Sequence, residues 1–164
     1  MLQEILPEYS KKRVLILGVG NILFGDDGFG PATIDFILRN CRVPRDVYPL
    51  DVGIGAGEVL FTITLSPGRI EKIIVLDAVH LNKKPGEIFE LSIEDLPENK
   101  IADFSLHLFP AANILRDLRD RIGIEIVILA CQTEKMPEVV DLGLSRIVQR
   151  SVPKAAIKAL RLAR

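Results

Sequence analysis

The sequence predicts a single α/β domain spanning residues 1–164, with a mostly parallel, twisted sheet of about five strands flanked by helices on both faces. Three observations carry this. Short apolar runs at residues 14–17, 73–76 and 126–130 alternate with helical patterns, the order expected of successive βαβ units. None of these runs approaches the ~20 residues a bilayer-spanning helix needs. A chain of 164 residues forms one domain burying roughly 70% of its unfolded surface, without enough material for a second core. No internal repeat or low-complexity linker divides it.

Taken in order, residues 13–18 form the first strand. Residues 30–39 follow as a helix, with apolar Ala32, Ile34, Phe36, Ile37 and Leu38 among polar positions. Residues 47–50 form the second strand. Gly53, Gly55 and Gly57 then turn the chain into a short helix through Leu60 and Ile63, ended by Ser66-Pro67-Gly68. Residues 72–76 are the third strand, and the alternation over 87–91 predicts a further strand at or near an edge. The stretch 92–105 reads as irregular connection, and 111–121 as a helix. Residues 125–130 are the last buried strand. A C-terminal helix over 145–163 contains Pro153, which kinks the axis or starts a second segment. Its Val148, Val152, Ile157 and Leu160 are expected to face the core.

Composition excludes several function classes. The 21 basic and 22 acidic side chains nearly cancel, so no field of one sign attracts nucleic acid or an anionic membrane. The partner must be recognised locally. Residues 1–13 carry two glutamates and lack an apolar segment ending in small residues, so they do not read as a secretory leader, and the expected location is the cytoplasm. Cys41 and Cys131 are the two cysteines and lack CxxC spacing, which suggests neither a disulfide framework nor a cysteine zinc site. Cys131, at the end of an apolar run, reads as a small buried hydrophobe.

Ligands of parallel α/β sheets bind beyond the carboxyl ends of the strands, where loops converge and backbone groups lack partners. Here the first strand runs into Asn21, Asp26 and Asp27, the second into Asp51, the third into Asp77 and His80, and the last into Gln132 and Glu134. Any of the aspartates can serve as a helix cap. For Asp26-Asp27 that reading is weaker, because two adjacent acids repel one another unless a cation or other positive group is near. A dinucleotide site is disfavoured: the third glycine of GxGxxG falls on Leu23, and two carboxylates would face phosphate oxygens. His80 and His107 are the only histidines and the candidate nitrogen donors. Two carboxylates and an imidazole suit nickel, zinc or manganese and leave coordination positions open. A metal so held polarises a carbonyl or acidifies a water, and both effects serve hydrolysis. With no GxSxG elbow in the sequence, water is the simplest nucleophile.

The segment Gly18-Val19-Gly20-Asn21-Ile22-Leu23-Phe24-Gly25-Asp26-Asp27-Gly28-Phe29-Gly30 resembles the opening signature of the hydrogenase maturation protease family. The likeness continues through Asp51-Val52-Gly53, Leu76-Asp77-Ala78, Pro85-Gly86-Glu87, Ser105-Leu106-His107 and the turn at Gln132, so it covers nearly the whole chain in order. It implies an endopeptidase of the aspartyl, metal-assisted type. The activity implied is removal of a C-terminal extension from the large-subunit precursor of a nickel–iron hydrogenase after nickel insertion. The implied catalytic and metal-holding residues are Asp27, Asp77 and His107, with Asp51 and Gln132 expected to contact substrate. The nickel is expected to arrive with the substrate, and zinc or cadmium could occupy the same ligands in vitro. The family often has glutamate where Asp27 stands, and two glycines where Val52-Gly53 follow Asp51. The segment Ala130-Cys131-Gln132-Thr133-Glu134 and the paired aspartates look most like members serving the deazaflavin-reducing hydrogenases of methanogenic archaea. Two other classes compete: a nickel-sensing chaperone of the large subunit that does not cut, and a small-molecule hydrolase with a permanent metal.

Overall fold

The structure, a computed structural model, describes residues 6–96 and 112–164. Its elements are β1 (Val14–Val19), α1 (Phe29–Asn40), β2 (Val47–Gly53), α2 (Ala56–Leu65), β3 (Lys72–Val79), β4 (Ile88–Leu91), α3 (Ala112–Asp117), β5 (Glu125–Gln132) and α4 (Arg146–Leu162). A π-helical turn, Leu118–Ile122, prolongs α3 and ends at Gly123, whose left-handed φ of 84° reverses the chain into β5.

The strand order is β2-β1-β3-β5-β4. The first four strands run parallel, and β4 alone is antiparallel, placing Phe89 opposite Ala130 at the sheet's edge. Alternation along the strands sorts the core into two layers. Leu15, Leu17, Ile73 and Val75 pack with Leu60 and Ile63 of α2 and Leu115 of α3. Ile16, Ile74, Leu76 and Leu129 pack on the other face with Ile34 and Ile37 of α1 and Ala156 and Ala159 of α4. The chain leaves β1 through α1 to reach β2, then returns through α2 to β3 on the opposite side of β1. The carboxyl ends of β1 and β3 are therefore the point where connections diverge onto the two faces, the place where such sheets leave a crevice.

Two sequence expectations are corrected. Strands expected to stop at residues 50, 76 and 130 continue to Gly53, Val79 and Gln132. Asp77 pairs with Ala130, Ala78 with Cys131 and Val79 with Gln132, so a ladder partner holds polar residues inside the sheet where local pattern predicted a loop. In α4, Ile157 is 49% exposed instead of core-facing. The buried stripe is Val148, Val152, Ala155, Ala156 and Ala159, mostly small side chains that let α4 approach α1 and the sheet closely. The helix runs through Pro153, which lies within it. No helix among the described residues is long and apolar enough to cross a membrane.

Candidate active site

The site begins with glycines that let backbone meet backbone. A Cβ on Gly30 would lie 2.2 Å from the Val19 carbonyl oxygen and 2.5 Å from that of Leu76, so α1 can start directly against the ends of β1 and β3. Gly20 has a φ of 135°, and a Cβ there would fall 1.9 Å from the Asp27 carbonyl oxygen. These contacts draw a turn of 3-10 helix, Gly25–Gly28, beneath the sheet's carboxyl edge and bury both Asp26 and Asp27 within it. Gly20 and Gly30 of this motif serve close chain packing.

Asp27 and Asp77 approach one another across the β1–β3 crevice. Asp27 Oδ2 accepts the Asn21 N–H at 2.9 Å, reaching back six residues to the start of the turn. Asp77 is fully buried, and by strand alternation it lies on the α2/α3 face between Val75 and Val79. Neither of its carboxylate oxygens has a hydrogen-bond partner among the described residues. Burial, and secondarily the charge of Asp27, push the Asp77 carboxyl well above its ordinary range. The Ala78 amide acts in the opposite direction and is the smallest of the three influences. A buried carboxyl group beside a second one, with neither Asp77 oxygen meeting a donor among the described residues, is a donor set that could hold a divalent cation. Among the described residues no third acid, histidine or cysteine joins the pair. His107, the expected third ligand, lies outside the described residues.

Asp26 faces a different environment. Its Oδ1 accepts the Ser145 N–H at 2.7 Å, and its Oδ2 accepts the Ser145 hydroxyl at 3.0 Å and the Glu134 N–H at 2.9 Å. The Lys135 N–H adds a longer contact at 3.4 Å. Ser145 is also the N-cap of α4, its Oγ accepting from the Val148 N–H, so the helix's positive end faces the carboxylate. The repulsion expected between adjacent aspartates is thus relieved at Asp26 by neutral donors. Asp26 clasps the loop leaving β5.

The remaining candidates are dispersed around this edge. Gln132 is buried, and its Oε1 accepts the N–H groups of Leu81 at 2.9 Å and Lys83 at 3.2 Å; its Nε2 donates to the Thr133 carbonyl at 3.2 Å. Its amide therefore shapes the turn after β3. His80 is exposed, with Nδ1 3.2 Å from Thr133 Oγ1 and 3.3 Å from Gln132 Nε2. Asp51 is exposed on the α1 face and accepts the Gly53 N–H at 2.9 Å. It borders a groove of about 270 Å³ together with Ile22, Gly28, Pro31 and Leu144. Cys131 is fully buried, and burial, aided by Asp26, pushes its thiol up to about 12, which removes it as a nucleophile at neutral pH. Sequence reasoning missed the Ser145 contact with Asp26; the helix-capping serine was readable, its partner was not.

Comparison with known proteins converges on one family. A model of the hydrogenase maturation protease family matches residues 33–162; the glycine and aspartate signature precedes that stretch. A Methanocaldococcus jannaschii protein assigned to the hydrogenase maturation proteases is 40% identical over 148 residues, covering 89% of this chain and 93% of its own. Coenzyme F420 hydrogenase subunit delta of Methanothermobacter thermautotrophicus is 29% identical over 146 residues, covering 87% of this chain and 89% of its own. Among solved structures, a hydrogenase-maturating endopeptidase of Escherichia coli superposes with a TM-score of 0.71 at 28% identity, covering 92% of this chain and 93% of its own.

Proposed function

The chain belongs to the hydrogenase maturation protease family, and from that premise we propose that it is the endopeptidase that trims the C-terminal extension of a nickel–iron hydrogenase large-subunit precursor after nickel insertion. The single observation that carries the metal-assisted reading is the Asp27–Asp77 pair, buried together with both Asp77 oxygens lacking donors among the described residues. Its position at the crevice between β1 and β3 suits a substrate that reaches in from the carboxyl edge of the sheet. The likeness to coenzyme F420 hydrogenase subunit delta favours a deazaflavin-reducing hydrogenase as the source of that precursor.

Nickel is part of the substrate in this reading. Asp27, Asp77 and His107 are the residues that would share it, and when so held it polarises the scissile carbonyl or acidifies a water. The chain's own contribution is discrimination. Burial and the charge of Asp27 both disfavour a charged Asp77; a precursor without nickel brings no cation to offset that, and its thiolates would meet carboxylate charge. Asn21 holds Asp27 in place through its N–H, and the Asx closure at Asp51 orders the β2 end that borders the same edge.

The test is to incubate the protein with nickel-loaded and nickel-free precursor and weigh the products by mass spectrometry. A shortened C-terminus is expected only with the nickel-loaded form, and its loss is expected in Asp77→Asn. Efficient cutting of nickel-free precursor in a strong chelator would sink the metal-dependent reading. Tight binding of nickel-loaded precursor without any cutting would favour the chaperone.

A further inference from the structure

We propose that the two loops joined above Asp26 form the docking surface for the body of the precursor: an apolar surface patch of that protein, next to its scissile segment, seats on Ile22, Leu23, Val139, Val140 and Leu142. The inference rests on the protease reading and goes beyond it by assigning the surface that recognises the folded substrate.

Five large apolar side chains stand in solvent on these loops. Ile22 is 61% exposed, Leu23 44%, Val139 72%, Val140 62% and Leu142 72%. Scattered surface apolar residues are ordinary, but a group gathered on adjoining loops at a functional edge is not. The loops are one surface because backbone joins them. Phe24 and Asp141 form a parallel bridge; the Asp141 N–H donates to the Leu23 carbonyl at 2.9 Å and the Gly25 N–H donates to the Asp141 carbonyl at 2.7 Å. That register sets Leu23 beside Val140. Below them, Asp26 ties Glu134 and Ser145, the two ends of the second loop, to the first. The patch is thus held in shape before any partner arrives, which lowers the ordering cost of association.

Continuity with the active site selects the occupant. Asn21, next to Ile22, donates its N–H to Asp27, so the patch adjoins the candidate site, and the occupant that fits it is the protein whose peptide that site takes. Glycines allow the close packing of these loops: a Cβ on Gly28 would meet the Ile22 Cα at 3.3 Å, and one on Gly25 would meet Pro137 Cγ at 3.1 Å.

The test compares wild type with the double variant Val140→Ser/Leu142→Ser, which alters exposed side chains only. Leu65→Ser serves as a control, since Leu65 is equally exposed, at 72%, but ends α2 away from these loops. Direct binding of purified, nickel-loaded precursor is measured by calorimetry and cleavage kinetics in parallel. The expected result is a roughly tenfold or larger rise in Kd and KM for the double variant with kcat retained, and no change in the control. Unchanged Kd and KM in the double variant would overturn the docking surface while leaving the protease intact. Precursor binding that is weakened by the double variant, in a wild type that never cuts, would support the surface and overturn the protease. A wild-type dimer that the double variant dissociates, with precursor binding unaffected, would assign the patch to a second copy and overturn the proposal.

Discussion

Ser145 gives Asp26 two hydrogen bonds, one from its backbone N–H at 2.7 Å and one from its hydroxyl at 3.0 Å, across 119 residues of chain. Both oxygens of Asp26 therefore face donors only. In Asp26→Asn one position becomes an NH2 group pointing at N–H groups that need an acceptor. Hydrogen bonds to a charged acceptor contribute more than neutral ones, and the orphaned donors add their own desolvation. We expect a loss of about 2–4 kcal/mol in denaturant unfolding, with exchange of the Glu134 and Ser145 amides accelerated first.

Asp77→Asn should behave in the opposite sense. The folded protein holds the Asp77 carboxyl well above its ordinary value of 3.8, so the native state binds a proton that the unfolded chain releases. Stability from this group is complete below the ordinary value and falls as pH rises toward the folded value. The asparagine variant lacks that slope. In chelator, its melting temperature should match wild type near pH 4 and exceed it by a few degrees at pH 8, each ~1 kcal/mol being worth ~2–4 °C at this size. Adding nickel or cadmium should raise wild type and leave the variant nearly unmoved. A variant less stable than wild type at pH 8 in chelator would reject the raised carboxyl.

The glycines of the signature should separate by what surrounds them. Gly30→Ala places a methyl 2.2 Å from a backbone oxygen, and α1 must withdraw from β1 and β3. We expect a loss of at least 3 kcal/mol, an order-of-magnitude figure for strained cores, or failure to accumulate folded protein. Gly57→Ala meets nothing within 4 Å and lies in α2, so it should gain about 0.5–1 kcal/mol. Paired urea titrations decide the matter.

Gln132→Leu removes the acceptor shared by the Leu81 and Lys83 N–H groups. The expected cost is about 1–3 kcal/mol, with the turn between β3 and β4 opening. Hydrogen exchange should show Leu81 and Lys83 losing protection while β1 keeps its own. Unaltered protection would mean that the Gln132 side chain does not hold this turn.

Much of the arrangement was legible in the sequence for local reasons. Period and punctuation identified the five strands of the described sheet and the helices on both faces, and the rule that loops converge at carboxyl ends marked the edge where Asn21, Asp26, Asp27, Asp51, Asp77, His80, Gln132 and Glu134 gather. What escaped was non-local. β3 reaches Val79 because Ala130, Cys131 and Gln132 are there to pair with it. Ile157 fits an apolar helix pattern, yet alanines took the inward face, since the space between α4 and α1 is set by both helices together. Adjacent Asp26 and Asp27 are chemically identical in sequence, and only the donors supplied from Glu134 and Ser145 mark Asp26 as the clasp.

The clasp also sets a timetable for synthesis. A nascent chain has made β1, the buried acidic turn and β3 long before Ser145 leaves the ribosome, and until then Asp26 has none of the donors that come from residues 134, 135 and 145. Burying that charge without them is costly, so the seat of the acidic turn beneath the sheet depends on the start of α4. The burial of the acidic turn therefore rests on a residue 119 positions further along the chain, and a chain shortened before α4 would bury Asp26 without those donors.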